Sequence, residues 1–582
     1  MPYQFLSPET TRPAIYGRQH MVSTNHYLAT QAALRILEMG GNAIDAGVAA
    51  GLVINVVQPD ETSLGGIVPI IVHEGSGRRT YALCGVGPWS STVHPEEFAR
   101  TGEIPQGPMS VVVPAAIDAW VLALQRAGRL SFAQVAAPGI ELAEGGYIVD
   151  RFLAANLAAE AETLRQWPSS AAIFLPGGRP PALGEPLVQS DLARTLLELV
   201  RVECESKWKG RASALQAIRD YFYRGAWAHE IVHAVNAWGG YLTVDDLANF
   251  QVRIEEPVKG HFADMELCVC GPWCQGPVIL QTLEILSGLE LHSLEHNHAE
   301  YLHVLIEALK LVFADRERFY GDPDYVNIPL EGLLSSAYAA RRRALIDLAR
   351  AAPGMPPAGD PRDETWSGDQ RVAAPSLPAN GARRRAGGPD TSYVAVIDCD
   401  GNAFSATPSD SSLVAPVVPG LGFVPSTRGA QSRPDVAHPA ACLPGRRPRV
   451  TPTPVLGIKD GEAVLALGTP GGDAQPQALV QFLLNQVKFG LDPQAAVEAP
   501  RVISASFPQS FSPYTYLPGL LQVEGRIPRA VCEALSNRGH RIEMWPDWYT
   551  AAGCVCAVLR DPSRGVVVGA ADPRRLSFAL GR

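Results

Sequence analysis

Residues 390–407 read DTSYVAVIDCDGNAFSAT, a pattern in which TSYVAVID alternates, DCDGN turns and AFSAT resumes. The alternation predicts a β-hairpin whose first strand opens at Thr391. Immediately upstream, residues 351–389 (AAPGMPPAGDPRDETWSGDQRVAAPSLPANGARRRAGGP) are rich in Pro, Gly, Ala and charge and poor in large apolar groups. That composition predicts a disordered or loosely packed linker. A linker that runs directly into a strand beginning with threonine needs a reason.

The chain has 582 residues, long enough for several average domains or for one large α/β enzyme. Hydrophobic residues make up 46% and charged ones 19%, an ordinary globular balance. A formal charge of −10 disfavours a nucleic-acid or anionic-membrane partner, because phosphate binding requires a concentrated basic surface. The arginine cluster Arg383 to Arg385 falls in the linker. The N-terminal stretch lacks the charged and apolar regions of a secretory signal, which points to the cytoplasm. The apolar run Ala46 to Val57 is too short to cross a bilayer and predicts a buried helix instead.

Ten cysteines are scattered through the chain, so buried thiols are expected rather than a disulfide scaffold. CVCGPWC (268–274) and CVC (554–556) lack the paired spacing of a zinc site and the Cys-x-x-Cys of a redox motif. No metal or other cofactor is expected.

Residues 25–58 carry apolar positions at helical spacing up to Gly40-Gly41, followed by a second helix with Asn42 as N-cap. GGIVPIIVHEG and RTYALCGV then predict an antiparallel strand pair. From 130 to 350 the pattern is mainly helical, most clearly over 299–323, where Asp322-Pro323 ends the helix. Downstream of the hairpin, EAVLALG predicts a strand, TPGGD a turn and AQPQALVQFLLNQVKFG a helix. CVCAVLRDPSRGVVVGAADPRR predicts a closing hairpin.

Five collinear segments carry a resemblance: GGNAIDA (40–46), ADRERFYGDPDYV (314–326), DTSYVAVIDCDGNAFSAT (390–407), GTPGGD (468–473) and GAADPRR (569–575). In this order and spacing they resemble the γ-glutamyltranspeptidase family, from about residue 20 to the end. The resemblance implies an α+β fold, the four-layer αββα sandwich of the N-terminal nucleophile hydrolases. It also implies a precursor that cuts itself between Asp390 and Thr391. The expected products are a large subunit, 1–390, with 351–389 as its flexible linker, and a small subunit, 391–582. The two form one compact unit, and a dimer of these heterodimers is the assembly considered. Thr391 matches the family's nucleophile and Gly471 and Gly472 its oxyanion-hole glycines.

The chemistry of the residues agrees. A threonine hydroxyl is a poor nucleophile at neutral pH and needs a base beside it. A freed α-amino group, with a reference pKa of about 8, supplies one on the same residue. Successive glycines let main-chain N–H groups approach a developing oxyanion closely. The plain alternatives are a β-branched residue opening a strand at Thr391 and a strand-to-helix turn N-capped by Asp473.

Against the family pattern, the segment ALCGVGPWSS (82–91) departs. The arginine that clamps a γ-glutamyl donor's α-carboxylate aligns with Val86, and no arginine occurs between Arg79 and Arg100. Ser409 and Ser411 stand where the family has a Thr and an Asn. The family's acidic partner for the donor's α-amino group is replaced near Gln431, and its paired serines fall on Val450 and Thr451.

Arg428 in PSTRGAQ offers a replacement cation for a carboxylate or carbonyl of the acyl part. VPGLGFVPSTRG looks more like the family's amidohydrolase branch. Trp545 and Trp548 are candidates either for pocket lining or for packing. Ser409, Ser411, Arg428 and Thr451 are thus the expected substrate-binding set. The expected activity is hydrolysis or acyl transfer on a small amide through an acyl-enzyme. A γ-glutamyltransferase acting on glutathione and a non-catalytic scaffold stand as the alternatives.

Overall fold

The computed structural model describes residues 10–363 and 390–582. Two seven-stranded sheets dominate it. The first runs, edge to edge, through Ile15–Gly17, Val566–Ala571, Cys556–Asp561, Glu462–Gly468, Val455–Lys459, Met265–Val269 and Val258–Phe262. The second runs through Phe578–Gly581, Met21–Thr24, Val394–Ile397, Ala403–Ala406, Ile70–Glu74, Arg79–Cys84 and Arg253–Glu255.

Side-chain alternation explains why these sheets stack. In Val394–Ile397, Ala395 and Ile397 face the first sheet, where they meet Leu456, Ala466 and Val558, while Val394 and Val396 face helices. In Glu462–Gly468, Ala466 points between the sheets and Leu465 and Leu467 point to the opposite helical layer. A strand buried on both faces must be apolar at every position, as VAVI and VLAL are. Helices Tyr27–Glu38, Ala43–Val57 and Ala116–Ala127 cover the second sheet. Gly276–Ser287, Ala299–Phe319 and Ala474–Val487 cover the first. The layers are therefore α, β, β, α, as expected.

Local signals held where they were strongest. Asn42 caps Ala43–Val57 through a reciprocal capping box with Asp45, after Gly40 at φ 92° closes the preceding turn. The hairpin pairs Val394 with Ala406 and Ile397 with Ala403. Its first strand, however, begins at Val394 rather than at Thr391. Thr391 makes only an isolated bridge to Ser409, because its N–H is taken by the side chain of Glu61.

The mainly helical 130–350 region also supplies the edge strands Arg253–Glu255 and Val258–Phe262 and, next to the latter, Met265–Val269. Beyond the predicted closing hairpin, Phe578–Gly581 forms a further strand that pairs with Met21–Thr24.

Composition places residues 351–363 in a loose linker, and the structure does not. Residues 351–363 are held in place: Ala352 N–H donates to Glu307, Gly359 N–H to Asp315, and Met355 N–H to the Tyr516 hydroxyl. Small and proline residues here pack and cap rather than swing. Residues 364–389 lie outside the described region. All ten cysteines are free thiols, and Cys268, Cys270, Cys274 and Cys556 sit in the core between the sheets. No helix among the described residues is long and apolar enough to cross a membrane.

Candidate active site

Asp390 and Thr391 lie at the end of the second sheet, almost wholly buried. The Thr391 N–H donates to Glu61 Oε2 at 2.9 Å. Its Oγ1 lies 2.8 Å from Ser409 Oγ, and both hydroxyls are within hydrogen-bonding reach of the Asp390 carbonyl oxygen, at 2.5 and 2.8 Å. A nucleophile, a second hydroxyl and the carbonyl of the preceding residue thus share one contact.

Arg428 completes the group. Its Nη2 donates to the Asp390 carbonyl at 2.7 Å and to Ser409 Oγ at 2.5 Å, and its Nη1 donates to Asp390 Oδ1 at 3.0 Å. The other carboxylate oxygen of Asp390 accepts the Ser411 N–H at 2.8 Å. Arg428 is fully buried, with Asp410 Oδ1 3.6 Å from its Nε and the Phe511 ring 5.2 Å from its guanidinium carbon. Burial works against its charge, but Asp390 and Asp410 outweigh that and raise its pKa. The guanidinium is a fixed cation. Asp410 is pushed up to about 6 by burial, although Arg428 pulls the other way.

Two groups absent from the expected set belong to this site. Glu61 binds Thr391 N–H with one oxygen and Arg575 Nη1 with the other, at 2.9 Å. Arg575 also donates to the Thr391 carbonyl at 3.3 Å. Burial raises Glu61 to about 8 against the pull of Arg575. A small void lined by Gln58, Asp60, Asp150 and Arg575 adjoins it. The available signal was the polar run QPDETS directly after a wholly buried helix, which brings an acidic residue into the interior.

The turn Gly471-Gly472 follows the strand Glu462–Gly468, whose last residue packs against Tyr393, two positions from Thr391. A Cβ at Gly468 would lie 2.2 Å from that ring. Gly471 and Gly472 adopt φ of 133° and 57°. Among the described residues their N–H groups have no hydrogen-bond partner. Asp473 does not cap the following helix through its side chain. Its carboxylate instead accepts from Arg316 Nη1 at 2.5 Å, from the Ser510 N–H and hydroxyl, and from Gln275. The burial cost is offset first by Arg316, which holds Asp473 below the usual carboxylate range.

A family model described as Gamma-glutamyltranspeptidase matches residues 29–581. The chain belongs to the γ-glutamyltranspeptidase family. It is 31% identical over 571 residues to the acylase ACY 1 proenzyme of Pseudomonas sp. (strain SE83), covering 95% of this chain and 92% of that protein. It is 30% identical over 578 residues to the glutathione hydrolase proenzyme of Bacillus subtilis, covering 97% and 92%. The solved structure of cephalosporin acylase from Bacillus halodurans superposes with a TM-score of 0.84 at 30% identity, covering all of this chain and 99% of that one. The chain is accordingly an amide-hydrolysing enzyme of the N-terminal nucleophile class.

Set against that family, the structure brings Asp390, Thr391, Ser409, Ser411 and Arg428 together. Thr451 does not join them. Its hydroxyl accepts from Gln431 Nε2 at 3.0 Å and its N–H donates back to Gln431 Oε1 at 3.3 Å, so these two satisfy each other. Val86 is buried in the apolar core between the sheets. Trp545 packs with Ala474, Ile503 and Ala552, and Trp548 lies under Arg526 at 3.5 Å, both as packing groups.

A cavity of about 820 Å³ beside Val86, lined by Trp89, Asp322 and Arg447 among others, holds none of the site residues. One group with metal-ligand chemistry, His303, Glu307 and His540, occurs among the described residues. Most of its ligand atoms are used within the fold: Glu307 binds Lys310, and His303 spans His540 Nε2 and the Asp347 carbonyl.

Proposed function

We propose that the chain cuts itself between Asp390 and Thr391 into subunits 1–390 and 391–582. The freed Thr391 then hydrolyses small amides whose acyl part carries a carboxylate held by Arg428. The observation that carries this reading is the Arg428 fork on the carbonyl and carboxylate of Asp390, the residue on the acyl side of the bond.

In the cleaved protein the Thr391 α-amine takes the Oγ1 proton as Oγ1 attacks the amide carbon. The main-chain N–H groups of Gly471 and Gly472 take the oxyanion. The amine leaving group departs with that proton, and water hydrolyses the ester. Ser409 and Arg428 hold the acyl carbonyl during both steps. The acidic residues around Arg428 leave it charged, so the pocket keeps one strong anion receptor.

The γ-glutamyl alternative lacks its partners here: Val86 is apolar and buried, and Gln431 and Thr451 are mutually satisfied. The test is direct. Wild-type protein should give fragments of 390 and 192 residues (582 − 390) on a denaturing gel. Thr391→Ala should stay one chain without turnover. Dicarboxylic half-anilides without the α-amine should be cleaved in preference to a γ-glutamyl anilide. An intact, fully active wild-type chain would refute the mechanism, and preference for the γ-glutamyl donor would restore the alternative.

A further inference from the structure

Asp390 is more than the residue before a cleavage site. When Thr391 Oγ1 attacks its carbonyl carbon, an Oγ1–C bond forms and the C–N bond breaks. The hydroxyl proton passes to the departing nitrogen, which becomes the free α-amine. The resulting ester is chemically an acyl-enzyme whose acyl group is Asp390. Water then releases the Asp390 carboxylate and restores the hydroxyl. The first acyl group the site processes therefore belongs to the chain itself, and its contacts describe the acyl pocket.

Those contacts measure a length. Arg428 Nη2 sits on the reacting carbonyl at 2.7 Å and Nη1 on the side-chain carboxylate at 3.0 Å, while Ser411 N–H binds the carboxylate's other oxygen at 2.8 Å. The guanidinium fork is planar and rigid, and Asp410 and Phe511 fix it further. Asp410 is in turn held by the Ser426 hydroxyl at 2.7 Å and the Thr427 N–H at 3.0 Å. Only two carbons, Cα and Cβ of Asp390, separate the two groups that the fork grips.

We infer that the acyl pocket selects four-carbon dicarboxylic half-amides, namely succinyl amides or N-substituted α-aspartyl amides, whose free carboxylate stands two carbons from the reacting carbonyl. This rests on the amide-hydrolase reading above. A shorter acid cannot place its carboxylate on Nη1 and Ser411 while its carbonyl stays on Nη2. A longer one must buckle in a buried pocket. The α-substituent tolerated at the second carbon follows from Asp390 itself, whose nitrogen continues into the chain.

The experiment uses the self-cleaved wild-type enzyme and the mono-p-nitroanilides of oxalic, malonic, succinic and glutaric acids, with the p-nitroanilide of butyric acid, compared by kcat/KM. The succinyl anilide should exceed its uncharged butyryl isostere by about 10- to 100-fold, the range for a charge-assisted hydrogen-bonded pair. It should exceed the malonyl and glutaryl anilides by about 10-fold. Arg428→Gln should erase the succinyl-over-butyryl preference.

A parallel calorimetric titration of wild-type enzyme with succinate, malonate, glutarate and butyrate requires neither turnover nor a variant. Succinate should bind tightest. Anilides cleaved without length preference, with succinate no tighter than butyrate, would overturn the inference and leave the hydrolase reading standing. Tight succinate binding with no anilide cleaved would do the reverse.

Discussion

Glu61 meets the amide nitrogen of Thr391 at one oxygen and Arg575 at the other, inside a fully buried pocket. Burial raises its pKa to about 8, so between the ordinary carboxylate range and that value the folded protein keeps a proton that the unfolded chain has already released. The folded state then binds more protons, so this residue's contribution to stability falls as pH rises from the ordinary carboxylate range toward 8. The slope is at most about 1.4 kcal/mol per pH unit. Glu61→Gln removes it. In a Thr391→Ala background, which keeps the chain uncut, urea midpoints of the two proteins should converge or cross as pH goes from acid to neutral, with the Gln variant gaining relative to Glu. A constant offset across that window would show that Glu61 is ionised throughout. In the active protein the same substitution should slow self-cleavage and shift its pH profile, because Glu61 is the side chain on the nitrogen that must leave with a proton.

The proposed oxyanion donors lie on the backbone of the turn between the strand Glu462–Gly468 and the helix Ala474–Val487. Gly471 at φ 133° occupies a region that residues with a Cβ rarely enter, although the space beside it is open, with the nearest atom 3.4 Å from a built Cβ. Gly471→Ala should therefore cost about 1–3 kcal/mol through backbone strain rather than collision. It should lower kcat about 100-fold or more by turning an oxyanion donor away. Gly472, at φ 57°, lies where alanine is strained less, and Gly472→Ala should cost about 1 kcal/mol. Equal losses from the two variants, by urea titration and steady-state rates, would show that the turn tolerates either geometry.

This turn was legible in GTPGGD because glycine pairs report backbone conformation directly. So was the hairpin after Thr391, whose alternation matches a strand buried on both faces. Asp473 sits at the N-cap position of the helix, as the plain reading of the turn has it, but its carboxylate turns to Arg316, 157 residues away, which no local pattern reports. Glu61 and Arg575 escaped for the same reason, since local pattern carries no information about which distant charge satisfies a buried one. Residues 351–363 were assigned to the linker by composition alone, and composition does not register the hydrogen bonds that pin them.

For the whole molecule, the order of strands decides what scission at Asp390 can do. In the second sheet, Met21–Thr24 lies between Phe578–Gly581 and Val394–Ile397, and Ala403–Ala406 pairs with Ile70–Glu74. In the first, Ile15–Gly17 pairs with Val566–Ala571, and Val455–Lys459 pairs with Met265–Val269. Strands from before and after residue 390 are thus hydrogen-bonded neighbours in both sheets. Buried ion pairs cross the same divide, Arg316 with Asp473 and Glu317 with Arg433 and Arg449, and Arg575 reaches Glu61 across it. Each half alone would expose unpaired strand edges, apolar faces and uncompensated charges, and breaking one such buried pair already costs about 3–5 kcal/mol. The cut protein should therefore elute as one particle under native conditions while showing two bands on a denaturing gel. It should unfold in urea in a single transition reported alike by circular dichroism and tryptophan fluorescence. Residues 391–582 expressed alone should fail to give a cooperative transition, since Val394–Ile397 then lacks its neighbour Met21–Thr24 and the inter-sheet core loses Met21, Ile71 and Ala82. A small fragment that folds independently, or fragments that separate on a native column, would mean that the interleaved strands are not what joins the two halves.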